Sequence, residues 1–310
     1  MAATEAPPAR LRRSLLWVPG DDEHKMHKAL GVGADALVLD LEDAVVPAHK
    51  ARAREVVRDA LLALDFRGAE KLVRINLLET GLAMEDLAVT MAGNPDGYLI
   101  PKLRSEDDVR AIDRALSNFE VMVGREPGTV RLVLIATETP EAVLNIRRVA
   151  QASTRSVAMM WASEDLSSAL GARRSRRADG HFLDVFAFAR SACLLAAAAN
   201  GLDPLDMPFF DFHDPEALER EAREAADMGF TGKGAIHPAQ VEIINRVFIP
   251  SNEEVAEAEA LLVAASEAFA RGQGAFVYKG AMVDAPHVNR ARRIVARARA
   301  AGGTDRRPPP

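Results

Sequence analysis

Thiols are almost absent from this chain of 310 residues. Cys193 is its one cysteine, which excludes an intramolecular disulfide framework and a cysteine-based zinc site. Aromatic side chains make up 5%, and 39 basic residues against 45 acidic ones leave a net charge of −6. Such a chain has no overall electrostatic reason to hold nucleic acid. Long apolar runs are missing too. The longest stretch, 185–202, is interrupted by Arg190, Ser191 and Asn200 and falls short of a membrane-spanning helix. Near the amino terminus, Arg10, Arg12 and Arg13 precede just Leu15-Leu16-Trp17-Val18 before Pro19-Gly20, too short an apolar segment for a signal peptide. A cytoplasmic protein without membrane or nucleic-acid partners is the expectation. Phosphate-loop, Gly-x-Ser-x-Gly and Cys-x-x-Cys patterns are also lacking, so no covalent nucleophile announces itself.

The composition that remains, 48% hydrophobic and 27% charged, is that of an ordinary globular protein. Eight short apolar runs recur at 15–18, 36–39, 72–75, 98–100, 132–135, 157–161, 208–212 and 234–236. They are nearly continuous and do not alternate, as strands buried on both faces should be. Amphipathic stretches at 51–63, 105–117, 139–152 and 215–228 lie between them, the last ending at Gly229, a suitable residue for leaving a helix. Eight β–α alternations predict a closed (β/α)8 TIM barrel, a fold of about 250 residues. A doubly wound sheet competes, but Pro19-Gly20-Asp21-Asp22 stands after the first run where that fold would carry a glycine-rich turn. The barrel is expected at 12–250, a C-terminal helical extension packing on a barrel at 251–301, and a disordered tail at 302–310.

Catalytic residues of such barrels come from the carboxyl ends of strands. Here those ends carry Asp40-Leu41-Glu42-Asp43, Arg74, Lys102, Glu138, Ser163-Glu164-Asp165, Asp211 and His237, many carboxylates with one Arg and one Lys. Glu138 and Asp165 end adjacent strands, where a hard divalent cation with several water ligands fits. Glu138 could equally be a first-turn acid of a helix that Thr137 or Thr139 caps. Arg74 must meet carboxylate, from Asp40, Glu42 or Asp43 or from a substrate. His24 and His27 read as a solvated helix face, His237 as an organiser of its loop, and Cys193 as a small buried apolar residue. The arginine-rich run at 173–177 could recognise phosphate or be a solvated loop.

In register with these strand ends, the sequence resembles the citrate lyase β-subunit-like branch of the aldolase/citrate lyase superfamily. Eight pieces carry the resemblance: Arg13-Ser14-Leu15-Leu16-Trp17-Val18-Pro19-Gly20, Asp40-Leu41-Glu42-Asp43, Val73-Arg74-Ile75-Asn76, Ile100-Pro101-Lys102, Thr137-Glu138-Thr139, Ser163-Glu164-Asp165, the segment Gly229 to Pro238, and Met282-Val283-Asp284-Ala285-Pro286. The resemblance implies a trimeric or hexameric barrel that uses Mg²⁺ to split malyl-, methylmalyl- or citramalyl-CoA into an acyl-CoA and a 2-oxo acid, glyoxylate or pyruvate. It implies Glu138 and Asp165 as direct Mg²⁺ ligands, with Glu42 and Asp43 holding the metal's waters. Arg74 would grip the oxo acid's carboxylate, Asp284 would be delivered into a neighbouring subunit's site as acid–base, and Lys28 would contact a CoA phosphate. Three alternatives accompany the lyase: a thioesterase or malate-synthase-like activity on the same site, a citrate lyase β subunit acting on a carrier-protein thioester, and a non-catalytic CoA-binding relative. Trp161-Ala162 stand where the family usually has Phe-Gly, so Trp161 is expected to add bulk near the acyl group.

Overall fold

A computed structural model describes residues 10–302; positions 303–310 of the expected tail lie outside them. Two compact units emerge, Arg12–Asn245 and a second that, among the described residues, joins 10–11 with 246–302. The first is a closed barrel of eight parallel strands in sequential order. Its strands are β1 (Ser14–Pro19), β2 (Ala36–Asp40), β3 (Glu70–Arg74), β4 (Gly97–Ile100), β5 (Arg131–Ile135), β6 (Ser156–Met160), β7 (Asp203–Asp206) and β8 (Gly232–Ala235). Around them run α1 (Glu23–Ala29), α2 (Lys50–Ala63), α3 (Leu82–Thr90), α4 (Glu106–Met122), the short α5 (Pro140–Leu144) and α6 (Ile146–Ala150), α7 (Glu164–Leu170), α8 (Asp184–Ala199), α9 (Pro215–Met228) and α10 (Pro238–Val247). Among the described residues no helix is long and apolar enough to cross a membrane.

The interior fills with Leu15, Ala36, Val38, Leu72, Leu99, Val133, Ile135, Ala158, Met160 and Leu205, contributed layer by layer from different strands as barrel packing requires. Closure pairs Ser14 with Lys233 and Leu16 with Ala235. Gly232 is needed there, because a Cβ on it would sit 1.8 Å from the Arg12 carbonyl oxygen. Ion pairs seal the amino-terminal ends of the strands. Arg12 donates to Glu70 at 2.6 and 2.7 Å and to Asp203 at 2.9 Å, while Arg155 donates to both oxygens of Glu120 and to Asp113.

Three expectations about the barrel need correction. The seventh strand is Asp203–Asp206 and not 208–212; Phe210 and Phe212 are half exposed in the loop beyond it. This strand is half acidic: the partly exposed Asp203 pairs with Arg12, and Asp206 is buried because Lys233 neutralises it. Asp211 is therefore an exposed loop residue that accepts from the His213 N–H. The segment 139–152 is two helices, not one, broken at Asn145, whose side chain donates back to the Glu141 carbonyl and so competes with the helix ladder. Trp161 points into the layer between sheet and helices, fully buried, its indole N–H on Asp206 Oδ1 at 2.5 Å; its bulk is spent on packing against Phe182.

The second unit pairs α11 (Asn252–Ala270) with α12 (Ala285–Gly302), linked by the hairpin of β9 (Phe276–Tyr278) and β10 (Ala281–Val283). Lys279 and Gly280 both take positive φ at its turn, the geometry that matches strand twist in two-residue hairpins. Ser251 caps α11 in a reciprocal box with Glu254. Ala258, Ala291 and Val295 form one small apolar cluster, and Ala265, Val283 and Val288 another. Gly302, expected to begin the tail, ends α12.

Candidate active site

The carboxyl ends of β2 to β6 converge on one polar cluster. Asp40 ends β2, and its carboxylate accepts the Glu42 and Ala44 backbone N–H groups at 2.8 and 3.2 Å, which folds the following turn back over the strand. Lys50 fastens the same turn by donating to the Leu41 and Glu42 carbonyls. Arg74, ending β3, lays Nε and Nη2 on the two Asp40 oxygens at 2.7 and 2.5 Å, and Nη1 lies 2.8 Å from Glu42 Oε2. Burial alone would favour the neutral guanidine, but its hydrogen bonds and attraction to Asp40, with Glu42, hold it protonated. Of the two partnerships open to Arg74 from the sequence, the internal one is thus present; it takes two of the five guanidinium N–H groups for Asp40 and draws Nη1 toward Glu42.

Glu138 follows β5. Thr139 caps α5 by accepting the Ala142 N–H at 3.1 Å and donates to the Leu103 carbonyl. Thr137 ties β5 to β6 by accepting the Ala162 N–H at 2.8 Å. Between these two threonines Glu138 turns inward, 4% exposed. Its Oε2 accepts the Lys102 backbone N–H at 2.5 Å, and Oε1 has no hydrogen-bond partner among the described residues. Burial, reinforced by Asp165 and Glu42, pushes its carboxyl up to about 8 despite Lys102 and Arg74. Asp165, in the first turn of α7, is more open.

Lys102 links these acids. Its Nζ is 2.5 Å from Glu42 Oε1, 3.1 Å from Asp43 Oδ2 and 3.4 Å from Asp165 Oδ1. Glu42 is buried and its carboxyl is raised by that burial, against the pull of Arg74 and Lys102; its Oε2 has no geometrically sound hydrogen bond. The structure therefore brings together Arg74, Glu138, Asp165, Glu42 and Asp43, and adds Lys102, to which the sequence reading gave no role. The signal was present, since Lys102 ends a strand among acids. Lys28 does not join the cluster: it lies exposed on α1 with His24 and His27. Asp284 belongs to the second unit, where its Oδ1 is 2.6 Å from His287 Nδ1. Within the arginine run, Arg176 pairs with Glu221 and covers the Phe182 ring, while Arg173, Arg174 and Arg177 are exposed.

Hard oxygen donors predominate, with two carboxylates crowded and incompletely satisfied in a buried place. That donor set fits Mg²⁺, which needs one or two carboxylates and keeps its waters. No group of three His, Cys, Asp or Glu side chains is poised as a full cage among the described residues.

Residues 13–238 match the HpcH/HpaI aldolase/citrate lyase family. The chain belongs to that family. A relative within it is the L-malyl-CoA/beta-methylmalyl-CoA lyase of Cereibacter sphaeroides, 36% identical over 94% of this chain and 96% of that protein. Another is the mitochondrial citramalyl-CoA lyase of Mus musculus, 33% identical over 92% of this chain and 85% of that one. Among solved structures, protein CitE of Mycobacterium tuberculosis in complex with magnesium, acetoacetate and coenzyme A is similar at a TM-score of 0.77 and 34% identity, covering 93% and 98% of the two chains. The HpcH/HpaI match encloses every strand-end residue of the cluster and stops short of Asp284.

Proposed function

We propose that this chain is a Mg²⁺-dependent carbon–carbon lyase that cleaves a 3-hydroxyacyl-CoA of the malyl, methylmalyl or citramalyl type into an acyl-CoA and a 2-oxo acid. The observation that carries the reading is Glu138, a buried carboxyl pushed up to about 8, whose one hydrogen bond among the described residues is from the Lys102 N–H. It is costly to ionise alone and suited to a cation.

Glu138 and Asp165 would hold the ion directly, and Glu42 and Asp43 would orient its waters. Bound there, Mg²⁺ supplies Lewis acidity that lowers the energy of negative charge on a hydroxyl or carbonyl oxygen. Arg74, fixed in place by Asp40, presents its remaining N–H groups to the substrate's carboxylate, a charge-assisted contact that orients the bond to be broken. The β-hydroxyl proton passes to water as the Cα–Cβ bond breaks, and the bonding pair passes to the thioester as its enolate. Asp284 of a neighbouring subunit would return a proton to that carbon, and Lys28 would meet a CoA phosphate. Delivery of Asp284 in this way requires at least a dimer, with a trimer or hexamer the expected assembly.

The test is release of 2-oxo acid from malyl-, β-methylmalyl- and citramalyl-CoA, each with Mg²⁺ and with EDTA. EDTA-sensitive glyoxylate or pyruvate supports the lyase and names its substrate. Free CoA without oxo acid means a thioesterase, and no turnover of any of the three by folded, metal-bound protein rejects the proposal. Light scattering that returns an active monomer would remove the donated Asp284.

A further inference from the structure

We propose that Lys102 is a positioning residue that acts as the resident counter-ion of the acidic cluster and sets its affinity for a divalent cation. The inference rests on the metal reading above. The geometry is unusual in that one residue serves four carboxylates. The Lys102 main chain holds Glu138 through its N–H, and the ammonium spans Glu42, Asp43 and Asp165. To do both, Lys102 takes a φ of +48°, a left-handed conformation unfavourable for a side chain of this kind. The turn is anchored on its far side, where the Leu103 carbonyl accepts from Thr139. A strained backbone maintained by its surroundings points to a job at that position.

The job follows from charge. Glu42, Asp43 and Asp165 crowd acidic groups beside the buried Glu138 carboxyl, and Arg74 pairs with Asp40 and Glu42. The Lys102 ammonium supplies the missing positive charge, and it does so through Asp165, one of the two proposed Mg²⁺ ligands. A divalent cation entering between Glu138 and Asp165 meets a like charge already there. Binding therefore requires the ammonium to withdraw from Asp165 toward Glu42 and Asp43, and the affinity is the balance of the two cations.

The test is calorimetric titration of Mg²⁺ into the metal-free protein, comparing the unmodified chain with Lys102→Asn and Lys102→Arg. Asparagine tolerates left-handed φ, so it keeps the backbone N–H on Glu138 and removes the charge alone. Lys102→Asn is expected to bind Mg²⁺ at least about tenfold more tightly, the change a unit charge some ångströms from a divalent ion makes even in a water-like dielectric. It should also melt lower than the unmodified chain in EDTA and regain the difference in Mg²⁺. Lys102→Arg should keep the original affinity. A second reading needs no variant. Amine-selective labelling of Lys102 in the unmodified protein, followed by mass spectrometry, should rise when Mg²⁺ is added. Equal or weaker Mg²⁺ binding by folded Lys102→Asn, or labelling indifferent to Mg²⁺, overturns the inference while leaving the metal reading intact. Absence of Mg²⁺ binding by the unmodified protein overturns both.

Discussion

Glu120 and Glu138 are the same side chain at nearly the same exposure, 0% and 4%, yet the barrel treats them in opposite ways. Glu120 sits at the amino-terminal end of the strands. Burial would raise its carboxyl, but two Arg155 hydrogen bonds and the N–H groups of Val130 and Gly128 bring it down to about 2. Glu138 sits at the carboxyl end with a single backbone donor and acidic neighbours, and stands near 8. Desolvation is the leading influence on both. Depth, neighbours and donors together decide the outcome: Glu138 lies deeper, beside other acids and with one donor, whereas Glu120 has an arginine and two backbone N–H groups.

Glu138→Gln should separate the two ends most sharply. Mg²⁺-dependent turnover should fall by about 10²–10³-fold or more, measured by oxo-acid release. The melting temperature in EDTA should stay level or rise, since an amide can still accept the Lys102 N–H without a buried charge. A large loss of stability would show that Glu138 belongs with Glu120. Glu120→Gln should do the reverse. Leaving Arg155 short of a partner in a buried place should cost about 3 kcal/mol in urea unfolding, with turnover per folded molecule unchanged.

Acidity offers a gentler probe. Because the folded-state value of Glu120 lies below its ordinary one, its contribution is fully present above about pH 4.5 and drains away as pH falls toward 2, at most about 2–3 kcal/mol. Glu120→Gln should lack that part of the acid sensitivity, and parallel acid curves for the two proteins would reject the assignment. The smallest effect belongs to Glu55, whose pair with Arg52 is exposed on α2. Glu55→Ala should change stability by less than about 0.5 kcal/mol, a baseline against which the buried pairs are read.

Strand order and closure were legible because continuous apolar runs such as Ala36 to Leu39 admit little else than a strand covered on both sides. The seventh strand was not. Asp-Pro-Leu-Asp reads as a turn until Arg12 and Lys233, distant in sequence, are seen to neutralise its acids. The hairpin before α12 was hidden for a related reason, since strands of three residues carry too little pattern. At the site, residue types were readable and partnerships were not. Arg74 could have faced a substrate alone or Asp40, and Glu138 is flanked by two threonines whose partners come from the loops after β4 and β6. The left-handed backbone angle of Lys102 is likewise a feature that residue type does not encode.

The pairing of β1 with β8 also has a meaning for how the protein is made. Ser14 meets Lys233, so at a synthesis speed of about 5–20 residues per second the first strand waits roughly ten to forty seconds for its last neighbour. Until Gly232 slides beneath the Arg12 carbonyl, the nascent sheet has two raw edges able to pair with other chains. The point of greatest hazard in the life of this molecule is therefore the interval before its barrel has an inside.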